Sequence, residues 1–164
     1  MRQTRIIIQW FIAIVLQVLL FNNLQFLGLC QPQIYLLCLL MFPINLPRWA
    51  DMLIGMALGF FMDILCNSIG VHTMACIFVM FVRQPLLARF IQDPERLTGE
   101  ISTQTISFDA FLKYTLILVF LHQICISLLS AWTFHHFGMT LLQIIISATI
   151  AEGLILGYNL IRAR

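Results

Sequence analysis

The sequence predicts an all-α polytopic membrane protein with six transmembrane helices. Two observations carry that prediction. First, apolar runs fall at about residues 6–29, 33–46, 49–66, 71–90, 112–134 and 140–161. Second, all nine Lys and Arg residues lie on one side of this map. Arg2 and Arg5 precede the first run, Arg48 separates the second and third, Arg83, Arg89, Arg96 and Lys113 surround the fourth loop, and Arg162 and Arg164 close the sequence. The alternate loops, 22–32, 67–70 and 135–139, contain none. Translocation of Lys and Arg is disfavoured, so basic loops stay cytoplasmic. The expectation is a single transmembrane domain over 1–164 with both termini inside, multi-pass in the inner membrane.

Composition agrees. A chain that is 61% hydrophobic and 10% charged, with mean hydropathy +0.96, has too little polar surface for a soluble domain. Runs of roughly 20 residues match a hydrocarbon core of about 30 Å. A net charge of +2, spread over four loops, gives no footprint for nucleic acid.

The first run follows Arg2 and Arg5 but is too long for a secretory signal, and no small-x-small cleavage site follows it. Cys30 follows Leu29 and not a small residue, which argues against lipoprotein processing. The first segment is therefore expected to stay as an anchor. The second is short and ends at Pro43 and Pro47, where a helix must stop or kink. Arg48 and Trp49 then mark the cytoplasmic interface. The third run rises to Cys66, and residues 67–70 form a tight outer turn. The fourth descends to Arg83, with Pro85 permitting a bend before Phe90.

Residues 91–111 are the only substantial polar stretch, with Asp93, Glu95, Glu100 and Asp109 alternating with Arg96 and Lys113. A solvated cytoplasmic connector is the preferred reading, ahead of a partner-docking loop. Among five cysteines, Cys38, Cys76 and Cys125 sit inside spans as small apolar side chains. Cys30 and Cys66 both fall near the outer surface, where they could meet, although packing is preferred here too.

In the third run, Asp51, Gly55, Gly59, Asp63 and Asn67 recur every four residues, along one stripe of a helix. Gly55 and Gly59 let another helix approach closely, within the bundle or from a partner, and Gly153 and Gly157 repeat the device in the sixth run. Asp63 lies about 22 Å from Arg48 along a helix, near the outer edge. It either braces the outer turn through the amides of Asn67 to Gly70, with His72 following that turn, or contacts a partner or ligand.

Glu152 lies ten residues before Arg162, about 15 Å deep, and His122 lies at nearly the same depth on the neighbouring span. A structural polar clamp between His122 and Glu152 is expected in preference to a proton relay. His135 and His136 adjoin in one outer loop and His72 follows the other, yet no thiolate or carboxylate pattern completes a metal site. No nucleophile elbow, phosphate loop or zinc-protease helix occurs, so neither an enzyme nor a cofactor is expected.

Pro47-Arg48-Trp49, then Gly55-Met56-Ala57-Leu58-Gly59-Phe60-Phe61-Met62-Asp63-Ile64, then Asn67-Ser68, Gly70 and His72, resemble the rod shape-determining protein MreD family. The proline and Arg-Trp details are similar to members from the Bacteroides group. Length, six spans and a basic fourth loop match across essentially the whole chain, but the specific part is residues 43–72. The resemblance implies a scaffold of the elongasome that pairs with MreC and acts with MreB, RodA and PBP2 in cell shape and lateral peptidoglycan synthesis. It also implies a fold related to the substrate-binding subunits of energy-coupling-factor transporters. Those vitamin-binding subunits supply the alternative function. They typically dock through an Ala-x-x-x-Ala motif in the first helix, whereas the first run here carries only Ala13. An intramembrane proton or ion carrier is a third, more distant alternative.

Overall fold

The computed structural model describes residues 2–21, 31–43, 46–91, 99–130 and 137–163. Every regular element among them is helical: α1 (Arg2–Leu16, continued by a π-helical turn Gln17–Phe21), α2 (Leu36–Leu40), α3 (Arg48–Cys66), α4 (Val71–Phe90), α5 (Phe108–Ser130) and α6 (Phe137–Ala163). Among the described residues four helices are long and apolar enough to cross a membrane: Arg48–Cys66, Val71–Phe90, Phe108–Ser130 and Gly138–Arg162. Trp10–Leu20 is a shorter apolar helix. The chain is a multi-pass membrane protein.

Burial is the reverse of a soluble domain. Phe11, Phe60, Ile64 and Leu128 face outward, as side chains in contact with lipid tails should. Asp51, Arg83, Thr115, His122 and Asn159 are buried inside. Polar groups are costly in hydrocarbon and collect where they can bond one another.

The α3–α4 hairpin is the closest-packed pair. A Cβ added to Gly59 would lie 2.6 Å from the Thr73 Cα, and one on Gly55 would lie 2.9 Å from the Cys76 carbonyl oxygen. Only glycine permits this backbone approach, so the stripe packs within the bundle. The turn needs left-handed backbone at Asn67 (φ 53°) and Gly70 (φ 75°). Asn tolerates that region and Gly has no Cβ to oppose it. On α6 the spacing has no such use among the described residues, because a Cβ on Gly153 or Gly157 would meet none of them within 4 Å.

The second apolar run departs from the expected 33–46 helix. Among the described residues of this run only Leu36–Leu40 are helical, all five buried in the core. The segment starts beside α1 and α4, where Gln17 Nε2 donates to the Pro32 carbonyl (3.2 Å) and the Gln17 Oε1 accepts from the Ile34 amide (2.6 Å). It ends with Phe42 against Trp10 (5.3 Å between ring centroids) and with the Phe42 carbonyl on Arg83. Tyr35 contacts His72, so Tyr35 to Phe42 runs parallel to eleven residues of α4, about 16 Å at roughly 1.5 Å per residue. As helix these seven steps advance only about 10 Å, and the long side chains of Tyr35 and Arg83 reach the rest.

The stretch before α5 also differs from the expected solvated connector. Glu100, Ile101 and Ser102 are buried, the Ile101 amide donates to the Met41 carbonyl (3.3 Å), and Glu100 pairs with Arg162 at 2.5 Å. Residues 99–102 thus fold back against the α2 segment and the end of α6.

Candidate functional site

Two buried polar networks sit at opposite ends of the bundle. The basic end holds Arg83 and Asp51, both fully buried, with Nη1 to Oδ2 at 2.9 Å. Arg83 Nε also donates to the Tyr114 hydroxyl (3.1 Å), and Nη2 to the Phe42 carbonyl. Tyr114 passes the chain on to the Leu40 carbonyl (2.9 Å), and Gln84 donates to Asp51 (3.1 Å) and the Leu46 carbonyl (2.8 Å). A planar guanidinium with several fixed donors suits this role: it pairs with the carboxylate and collects carbonyls that lack helical partners. Arg83 was expected among the loop cations; it lies two turns inside α4. That distance from Phe90 was the signal in the sequence, together with Asp51 on the glycine stripe.

The cation-free end is built differently. Asp63, near the end of α3, accepts from the Ser68 hydroxyl (2.5 Å), the amides of His72 (3.0 Å) and Thr73 (2.9 Å), and the Thr73 hydroxyl (2.5 Å). Those amides are the unpaired donors of the first turn of α4, and a carboxylate there also complements the helix dipole. The donors are Ser68, His72 and Thr73, not the expected amides of Asn67 to Gly70.

Inside this turn, the Tyr35 hydroxyl lies 3.0 Å from His72 Nδ1 and 2.9 Å from His122 Nε2, with both rings edge-on to the phenol. Cys76 Sγ completes the cluster at 3.7 Å from the hydroxyl. A phenol has one proton, so it donates to one imidazole and accepts from the other, which must present an N–H. Tyr35 was not foreseen, because an aromatic in a short apolar run reads as packing.

His122 and Glu152 do not form the expected clamp. His122 bonds Tyr35, while Glu152 accepts from the Thr115 hydroxyl at 2.5 Å. Thr115 and His122 share a face of α5 but stand two turns apart, about 10 Å. The carboxylate therefore meets α5 below the imidazole.

A cavity of about 250 Å³ opens at the cation-free end above this string. Gln31, Gln33, Ser68, His72, Ile126 and Ser130 line it. Gln33 is held by Gln17 (3.2 Å), and the Gln31 amide donates to Ser147 on α6 (2.9 Å), so four elements fix the walls. Among the described residues no group of three His, Cys, Asp or Glu is arranged for a metal. Cys30, His135 and His136 lie outside the described residues. No family model, no curated protein and no solved structure matches the chain.

Proposed function

We propose that this chain is a non-catalytic inner-membrane component of the bacterial elongation complex, similar to MreD, that binds MreC and supports lateral wall synthesis. In this reading α1 and the segment around α2 add two crossings to the four long helices. The chain then crosses six times, with the basic end and both termini cytoplasmic, in an arrangement related to the energy-coupling-factor subunits. MreB, RodA and PBP2 are the further partners, and no cofactor is needed.

The observation that carries the reading is the resemblance over residues 43–72, three of whose residues have a structural task. Gly55 and Gly59 set the α3–α4 distance, and Asp63 caps α4. Gly153 and Gly157, open beside α6, fit an approach by a single helix of another protein. Against the vitamin-transport alternative, Ala13 is 7% exposed and so faces the bundle, not a transporter core.

Affinity purification of the tagged chain in mild detergent tests this. Recovery of MreC and wall-synthesis enzymes is expected. Recovery of an ATPase pair with its coupling subunit, in place of those proteins, would reject the reading.

A further inference from the structure

We infer that the cavity at the cation-free end binds a small uncharged molecule carrying both hydrogen-bond donors and acceptors. Its size sets the first limit: about 250 Å³ is just below the roughly 300–1,000 Å³ of sites for drug-sized ligands. Its charge sets the second. None of its described lining residues is Asp, Glu, Lys or Arg.

Among the described residues Asp63 is bonded to Ser68 and His72 of the lining, and four donors already occupy it. An anion would meet that carboxylate without a compensating cation. A cation would have to draw the carboxylate away from the amides that begin α4. Ions without a counter-charge are costly in such surroundings, whereas a neutral molecule meets neither obstacle.

The remaining bonding capacity is of the right kind. Nδ1 of His72 is taken by Tyr35, which leaves the Nε2 side of the ring as its remaining polar edge, on a side chain that lines the cavity and is only 7% exposed. Gln31 and Ser130 add an amide and a hydroxyl, each able to donate and accept. Val71 and Ile126 supply an apolar wall. The buried string makes the site rigid: His72 is fixed by Tyr35, and Tyr35 by His122. The inference does not depend on which complex the chain joins.

Ligand-observed magnetic resonance on the purified full-length chain provides the test, with glucose, nicotinamide and uracil as neutral probes and acetate, phosphate and choline as charged ones. Saturable binding of at least one neutral probe at millimolar concentration is expected, with none from the charged set. His72→Asn keeps an amide for Tyr35 but removes the Nε2 edge, and should weaken that probe about tenfold, the equivalent of one hydrogen bond. Ser130→Leu fills the mouth without touching the string and should weaken it at least as much, with the unfolding midpoint unchanged. Failure of all three neutral probes, equal binding of a charged probe, or undiminished binding in a folded Ser130→Leu chain would overturn the assignment.

Discussion

The two ends of this bundle use buried polarity in opposite ways. At the basic end, charge meets charge: Arg83 and Asp51 are both sealed from solvent, and the guanidinium also holds the carbonyl of Phe42 and the hydroxyl of Tyr114. At the cation-free end, two imidazoles share one phenol hydroxyl beneath a cavity. The sealed network consumes its donors in holding the chain together. The other network borders the cavity through His72. A buried ion pair thus marks where the fold is fastened, and the imidazole–phenol cluster marks the end that carries the proposed binding site.

The largest effect that would break this contrast is at Arg83. Arg83→Leu leaves Asp51 unpaired and strips the partners from carbonyls of the α2 segment. A loss of about 3–5 kcal/mol is expected, read as a lower unfolding midpoint in detergent or as failure to accumulate. Arg83→Lys should recover only part, since an ammonium cannot reproduce the fork. Wild-type stability of Arg83→Leu would remove the fastening role.

Gly59→Leu comes next. With a Cβ 2.6 Å from the Thr73 Cα, the cost should fall near the upper end of about 1–3 kcal/mol for overpacking. Gly153→Leu is the control: the isolated chain should keep its stability within about 0.5 kcal/mol, whereas co-purification of a partner should drop if that face is covered in the complex. Equal losses from both substitutions in the isolated chain would show that α6 packs on another element.

Smaller still is Tyr35→Phe. It keeps the ring and removes the hydroxyl between two imidazoles, for an expected loss of about 1–2 kcal/mol by chemical unfolding. The smallest expected quantity is a coupling. His122→Leu and Glu152→Leu belong to separate networks, so their effects should add within about 0.5 kcal/mol in a double-mutant cycle. A larger coupling would join the two side chains after all.

Much of α3 and α4 was legible in the sequence. Both helices occupy the third and fourth apolar runs, and the four-residue spacing of Gly55 and Gly59 already implied a close neighbour. The polar details were less legible for a geometric reason. Counting residues from a basic boundary gives depth, one coordinate of three. His122 and Glu152 matched in that coordinate, but each helical residue also turns about 100°, and nothing in the sequence fixed how α5 and α6 face each other. Hydropathy likewise cannot separate a helix from an irregular run of equal polarity, which is why residues 33–46 read as a span of ordinary helix. Glu100 misled in the other direction: a carboxylate in a polar stretch suggested solvent, but Arg162 at the end of α6 holds it nearly buried.

The irregular segment around α2 has a consequence for the order in which the protein is made. Synthesis proceeds from the N-terminus, so the carbonyl of Phe42 leaves the ribosome 41 residues ahead of the guanidinium that receives it. The carbonyl of Leu40 precedes the Tyr114 hydroxyl by 74 residues. A continuous helix entering lipid brings its own partners, but this stretch does not. Until α4 and α5 have emerged, its peptide groups need water or the insertion machinery as a substitute. The piece of chain at the centre of the finished bundle is therefore among the first synthesised and among the last to be settled.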